Sequence, residues 1–344
     1  MTAPLFAKRK LGRADVEVSE LGLGTAPLGD LFDVIDEDES RELLTAAWDG
    51  GVRYFDTSPW YGLGQAEHRV GRALYRRPRD EVAISSKIGR LLRRPLKPGP
   101  YRRGEWLGGL EFDPVFDYSY NGIMRSFEDS LQRLGINRID VLLIHDLDTW
   151  HFKTEAKAGP YMNQLYTSGW RALEELRDQG VIKGIGAGFN TMGTIPRYLE
   201  MFDIDFFLIA MRYTLLEQEV LDLEFPLCAE RGVGIVIGGP YNSGITATGP
   251  GPRAMYNYAP AGPEIQARVA KIEAVCARHG VPLAAAALQF PLGHPIVASV
   301  IPGAISRGQV AMNLDAFRHT IPPDLWAELR HEKLIRVDAP APAR

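Results

Sequence analysis

Cysteine is nearly absent: Cys228 and Cys276 are the two in 344 residues, far apart and outside any metal-ligand spacing. That excludes a disulfide-stapled scaffold and a cysteine-rich zinc module. Both lie in apolar, helix-like contexts, and buried free thiols in a reducing compartment follow. No apolar run reaches about 18 residues, the length a membrane span needs. Met1 to Lys10 has no apolar core of signal-peptide length, so the chain reads as cytoplasmic. An excess of positive charge is missing too. With 39 Lys and Arg against 43 Asp and Glu, a net charge of -4, there is no electrostatic footprint for nucleic acid. The basic runs Arg76-Arg77-Pro78-Arg79, Leu92-Arg93-Arg94 and Arg102-Arg103 are short, broken by Pro or Gly, and read as solvated loop surface. Internal repeats and interdomain linkers are also lacking. What is there, 45% hydrophobic and 24% charged residues, is ordinary globular composition. It reads as one domain over residues 1–344, with a Pro- and Ala-rich tail fraying from about residue 338.

Short apolar runs alternate with longer amphipathic ones. After a hairpin-like stretch around Arg9 to Ser19, strands are expected at Glu20–Thr25, Val52–Thr57, Val82–Ile88, Ile139–His145, Ile182–Ala187, Phe206–Met211, Gly234–Gly238 and Val297–Ile301. Helices are expected between them at Asp38–Gly50, Glu67–Leu74, Asn121–Leu134, Gly169–Gln179, Thr191–Met201, Leu216–Arg231 and Pro263–His279. Leu43, Leu44 and Ala47 share one helical face, as do Ile123, Phe127, Leu131 and Leu134. Eight strand–helix alternations imply an α/β fold, a (β/α)8 TIM barrel with an N-terminal β-hairpin. Two connections are long, Gly89 to Tyr120 and Asp146 to Gln164. Both follow strands, so both belong on the catalytic face, and their aromatic residues (Tyr101, Trp106, Phe112, Phe116 and Tyr118; Trp150, His151, Phe152 and Tyr161) suit ordered pocket walls. A Rossmann unit is excluded: Pro27 and Phe189 stand where its third glycine would be needed after Gly22-Leu23-Gly24 and Gly184-Ile185-Gly186. The glycines of the fifth strand imply close approach of a ligand or backbone.

Four ionisable residues sit where strand-like runs stop: Asp56, Tyr61 just after it, Lys87 and His145. Such groups are costly to bury singly but can satisfy one another. In a parallel barrel the strand ends supply the catalytic groups. A phenol is a poor base at neutral pH. A neighbouring ammonium stabilises its phenolate, and a carboxylate holds the ammonium in place. Asp56, Lys87 and Tyr61 suit that relay, with neutral His145 orienting the substrate oxygen. Such a site exchanges a proton while a hydride moves at the attached carbon. No side chain carries hydride, so a nicotinamide cofactor is implied. His145-Asp146-Leu147-Asp148 with His151 also admits a metal-dependent barrel hydrolase, though no His-x-His strand end supports it, and the expected metal is none. A non-catalytic nicotinamide-binding regulatory subunit is a further alternative.

The run Phe55-Asp56-Thr57-Ser58-Pro59-Trp60-Tyr61-Gly62, then Ser86-Lys87, then Ile144-His145, resembles the catalytic tetrad of the aldo-keto reductase superfamily. Leu21-Gly22-Leu23-Gly24-Thr25, Glu67, Gly71, Arg133 and Ile301-Pro302-Gly303-Ala304 follow its pattern in order. Ile237-Gly238-Gly239-Pro240-Tyr241-Asn242-Ser243-Gly244 is similar to the bacterial aldose 1-dehydrogenases, L-fucose dehydrogenases and pyridoxal 4-dehydrogenases within it. The resemblance implies cofactor contacts from Gly24, Thr25 and Asp56, and from Asn190 at the nicotinamide carboxamide. Gly239, Pro240, Tyr241, Asn242 and Ser243 would lie along the pyrophosphate, and Gly303, Ala304, Arg307, Gln309 and Asn313 around the adenosine. Phe189, Ala210 and Gly239 depart from the pattern, the last where an aromatic commonly stacks on the nicotinamide; Tyr213 is the expected substitute. Because Gly303 and Gln309 replace common cations, leaving Arg307, NAD is expected over NADP, which stays possible. Trp60, Trp106, Tyr118 and Trp150 are expected to wall the substrate. The implied reaction is oxidation of a cyclic hemiacetal, C1 of an aldose such as L-fucose or a D-threo-aldose, to a lactone. Pyridoxal going to 4-pyridoxolactone is the alternative.

Overall fold

In a computed structural model describing residues 5–96, 104 and 106–342, eight parallel strands form one sheet. They are β1 (Leu23–Gly24), β2 (Tyr54–Asp56), β3 (Ala83–Ile88), β4 (Val141–His145), β5 (Gly184–Phe189), β6 (Phe206–Ala210), β7 (Gly234–Gly238) and β8 (Val297–Ile301). Their spatial order is their chain order. A parallel bridge between Leu21 and Val300 brings the last strand back to the first and closes the (β/α)8 barrel. Helices α1 (Glu37–Asp49), α2 (Gln65–Leu74), α3 (Tyr120–Leu134), α4 (Trp170–Asp178), α5 (Thr194–Met201), α6 (Glu224–Glu230), α7 (Pro263–Arg278) and α8 (Arg307–Arg318) surround it.

Strand periodicity of two divides the side chains into two cores. The outward one lies under the helices and holds Phe55, Ile84, Leu142, Ile144 and Ile185. The inward one stacks Tyr54, Ala83, Val141, Leu143, Phe206, Leu208 and Val236 inside the barrel. The antiparallel hairpin Lys8–Lys10 with Glu17–Ser19 seals the bottom, adding Leu11, Ala14 and Val18 to that inner core. A side chain at Gly12 would collide with the Asp205 carbonyl and the Gly234 amide at 2.2 Å, so the hairpin tip needs glycine for close approach.

Several elements differ from the sequence reading. Asp146 to Gln164 is mostly helix, Thr149–Phe152 and Glu155–Gln164, continuing through a π-helical turn at Leu165–Gly169 into α4. Gly159-Pro160 resembles loop punctuation but lies inside the second of these helices. The connection after β3 contains an antiparallel ribbon, Arg90–Arg93 with Asp113–Phe116. Tyr101, Arg102 and Arg103 lie outside the described residues. The expected helix Leu216–Arg231 shrinks to a 3-10 turn at Glu219–Leu221 followed by α6. Helices Leu283–Gln289, α8 and Pro323–His331 were not anticipated. Residues 338–342 do not fray: Ala339 is 1% exposed and its carbonyl accepts from Arg330.

Candidate active site

The inward side-chain rows carry the site. In the parallel register, Asp56 lies beside Ser85, and His145 beside Gly188. Asp56, Lys87 and His145 therefore end the inward rows Tyr54–Asp56, Ala83–Ser85–Lys87 and Val141–Leu143–His145 at the top of the barrel interior. Lys87 Nζ donates to Asp56 Oδ2 at 2.7 Å and to the Thr57 carbonyl at 2.9 Å. Ser85 Oγ donates to the other oxygen of Asp56 at 2.6 Å. Tyr61 starts a 3-10 turn directly after β2, and Lys87 Nζ lies 4.6 Å from its ring centre. The Tyr61 and His145 rings meet edge to face at 5.7 Å. Asp56, Tyr61, Lys87 and His145 are thus brought together, with Tyr61, Lys87 and His145 lining a cavity of about 420 Å³.

The electrostatics depart from the expected relay. Burial, then the carboxylates of Asp56 and Asp146, push the Tyr61 phenol well above its ordinary range of about 10. Lys87 is already spent on a carboxylate and a carbonyl, and faces the ring rather than displacing its proton. His145 is held well below its ordinary value by burial, then by Arg90, Lys87 and His151.

Arg90 was missed in the sequence. It is 2% exposed and donates to Asp146 at 2.9 Å. Its guanidinium lies 5.0 Å from the Trp60 ring centre and 5.1 Å from that of Phe116. Its position three residues after Lys87, on a strand-like continuation, was the available signal. Asp146 adopts φ 47°, sparsely populated for a non-glycine residue, and turns its carboxylate into the cavity wall. Asp148 caps the His151 amide and accepts from Thr191 at 2.6 Å. The carboxylates of the acidic–histidine segment are thus engaged by Arg90, the His151 amide and Thr191.

Trp60, Trp106 and Trp150 line the cavity with Leu31, Phe32, His151 and Tyr258. Trp60 and Trp106 pack edge to face at 5.7 Å. Tyr118 does not join them: it is fully buried, and its hydroxyl donates to the His145 carbonyl at 2.6 Å. Tyr213 does not face the cavity either. It sits in the outer core between Phe225, Phe290 and His294, because its ring is apolar enough to pack there. Like Phe189, Tyr258 does line the cavity, at a tight turn between Met255–Tyr256 and Ala259–Pro260. Its amide donates to Ser243 at 3.0 Å, and its hydroxyl accepts from Asn190 at 3.4 Å.

The chain matches the model of the aldo/keto reductase family over residues 20–332. It belongs to that family. It is 44% identical to pyridoxal 4-dehydrogenase of Microbacterium luteolum, over 95% of this chain and 98% of that one. It is 39% identical to D-threo-aldose 1-dehydrogenase of a Pseudomonas species, over 94% and 96%. An aldo-keto reductase of Bacillus halodurans, solved in its holo form, superposes with TM-score 0.71 at 27% identity, covering 98% of this chain and 99% of that one. The protein is therefore an oxidoreductase.

Aldo/keto reductases bind a nicotinamide cofactor, and the residues beside the tetrad fit one. Gly188, Ala210 and Asn190 line the cavity next to His145, where small side chains leave room for a flat ring. Gly239, Asn242, Ser243 and Gly244 all have positive φ, giving a tightly curved segment on the same face. Asn242 Oδ1 is buried without a partner among the described residues. Pro240 is buried in that segment. Tyr241 donates to Asn313 at 3.0 Å, and Asn313 donates to the Gly303 carbonyl at 3.4 Å, tying the segment to α8. Gln309 accepts from the Ile305 amide at 2.9 Å, and Ala304 is buried. Gly24 is packed against the Ile301 carbonyl. Thr25 turns inward: it is fully buried and its hydroxyl donates to the Asp56 carbonyl at 2.8 Å, which makes it a clamp between β1 and β2 rather than a ligand contact.

Proposed function

We propose that the protein is an NAD-dependent dehydrogenase that oxidises a cyclic hemiacetal to a lactone, reversibly. Aldopyranoses are the preferred substrates, and the hemiacetal of pyridoxal is the alternative that the 44% identity to a pyridoxal 4-dehydrogenase favours. The observation that carries the proposal is the convergence of Tyr61, Lys87 and His145 on one aromatic-walled cavity.

Asn190, the segment Gly239–Ser243, and Gly303, Arg307, Gln309 and Asn313 would hold a nicotinamide cofactor, which would supply the hydride acceptor. Tyr61 exchanges the hydroxyl proton at its phenolic oxygen. Lys87 holds positive charge beneath the Tyr61 ring, and Asp56 keeps that ammonium charged and fixed. His145, neutral, orients the reacting oxygen through a ring N–H. Trp60, Trp106 and Trp150 exclude water and cover the substrate's apolar face. Tyr258 supplies the aromatic neighbour that Gly239 cannot.

Cofactor choice follows from charge. Gly303 and Gln309 offer no cation, and Glu39 accepts from the Arg307 amide at 2.7 Å, so the start of α8 carries a carboxylate that would disfavour a phosphate there. The expected result is a higher kcat/KM with NAD than with NADP; the reverse order rejects the charge argument. NADH absorbance across aldoses and pyridoxal identifies the substrate. Tyr61→Phe is expected to lower kcat by about 100-fold or more while leaving NAD affinity nearly unchanged; retained turnover removes Tyr61 as the proton carrier.

A further inference from the structure

We propose that Ser58 is a positioning residue that holds His145 in the neutral tautomer carrying its hydrogen on Nε2. The ring then presents a donor, not a lone pair, to the reacting oxygen. The tautomer itself is independent of the substrate; its effect on rate rests on the dehydrogenase reading.

Hydrogen-bond accounting carries the argument. Ser58 Oγ lies 3.0 Å from His145 Nδ1, and it accepts the Trp60 amide hydrogen at 3.1 Å. Ser58 is fully buried and His145 is 6% exposed. A serine hydroxyl has one hydrogen and can accept as well as donate, whereas a neutral imidazole has one N–H and one lone pair. Trp60 fills one of the two acceptor sites of Ser58; were the other filled by an Nδ1–H, the buried hydroxyl hydrogen would have no acceptor among the described residues, so it goes to a bare Nδ1. The opposite side of the ring agrees independently. Asp146 Oδ2 lies 3.4 Å from His145 Nε2, and a carboxylate only accepts. A lone pair on Nε2 would be repelled at that approach, so the hydrogen is favoured on Nε2. Arg90, paired to Asp146 at 2.9 Å, offsets the negative charge that would otherwise favour imidazolium. Tyr118 pins the histidine backbone through its carbonyl at 2.6 Å.

At that separation Asp146 biases the ring without forming a hydrogen bond to it, so the Nε2–H stays available to a substrate oxygen. Without the Ser58 hydroxyl, Nδ1 has no hydrogen-bond donor among the described residues to reserve its lone pair. Only the weaker bias from Asp146 then opposes a ring that places its hydrogen there and turns a bare Nε2 toward the substrate oxygen.

The test is nitrogen NMR of the full-length protein labelled with 15N-histidine at neutral pH, with the His145 signals identified by their loss in His145→Gln. The expected spectrum has a pyridine-type Nδ1 and a pyrrole-type Nε2. Ser58→Ala is expected to shift both signals toward the other tautomer and to lower kcat by about 10- to 100-fold. Ser58→Thr, which keeps the hydroxyl, is expected to restore both. A wild-type spectrum with hydrogen on Nδ1, or on both nitrogens, overturns the proposal, as does Ser58→Ala with unmoved signals. If Ser58→Ala does not fold, the wild-type spectrum and Ser58→Thr decide. Absence of turnover with every hemiacetal would sink the dehydrogenase reading and leave the spectrum to judge the tautomer.

Discussion

Tyr61 shows how an active-site residue can have the right neighbours and the opposite electrostatic bias. Sequence reasoning placed an ammonium near the phenol and expected acidification. In the fold, burial and two carboxylates outweigh it, and the phenol keeps its proton. Reduction of a carbonyl needs that protonated form, while oxidation needs the phenolate. The oxidation rate is therefore expected to climb by about tenfold per pH unit from 7 to 9, without a plateau below 10. A plateau at or below pH 8 in the kcat profile would show instead that the phenol is acidified in the working complex. The Lys87–Asp56 pair is nearly sealed, with side chains 1% and 3% exposed. Asp56→Asn leaves a buried ammonium without its counter-charge and is expected to cost about 3–5 kcal/mol in urea unfolding at pH 7. A loss below about 1 kcal/mol would mean that Lys87 sheds its charge or finds another partner. These four residues were legible because ionisable groups ending apolar strands are unusual. Arg90 was not, since a basic residue after a strand reads like any solvated loop. Tyr118 and Tyr213 were misplaced because an aromatic ring carries no sequence mark that separates a cavity wall from the layer behind it.

The barrel strands were legible from their apolar runs, and β5 explains why its three alternate glycines matter. Gly184, Gly186 and Gly188 all fall on the inward face. A methyl at Gly184 would meet Ala14 at 2.4 Å, and one at Gly186 would meet the Phe206 ring at 2.5 Å. At Gly188 the nearest atom is 3.5 Å away, an ordinary contact, and the residue lines the cavity. The same substitution should therefore have two outcomes along one strand. Gly186→Ala is expected to lose about 1–3 kcal/mol through overpacking. Gly188→Ala is expected to change stability by less than about 0.5 kcal/mol while altering KM. Thermal unfolding of the two variants side by side checks this; equal losses would show that β5 cannot bend locally at either end. Helical elements were less legible where punctuation misleads, as at Pro160. Leu283–Gln289 escaped notice because an almost wholly apolar or alanine segment has no polar face to mark a period.

Across the whole molecule, the apolar barrel interior is closed below by the hairpin and opens above into the polar layer. Histidines partly or wholly withdrawn from water along this structure record what that enclosure costs in acid. His151, beside Arg90, and His294, packed against Tyr213 and Phe225, are each lowered to about 4, chiefly by burial. His145 is lowered well below its ordinary value for the same first reason. In the unfolded chain these rings take up protons below about 6.5, whereas the folded protein refuses them until the pH is far lower. The unfolded state binds more protons in that window, so stability is full above about pH 6.5 and falls as the pH drops toward 4. His294 offers a clean check, since it lies away from the cavity and its Nδ1 accepts the Ile296 amide at 3.4 Å. His294→Asn keeps an acceptor there but removes the titrating ring. Between pH 6 and 4.5, its urea-derived stability should vary less steeply than that of the wild type, by up to about 1.4 kcal/mol per pH unit, the slope of one proton. Identical slopes would mean that the His294 ring is protonated in the folded state as readily as in the unfolded one, and that the acid sensitivity resides in His145 and His151, which line the cavity.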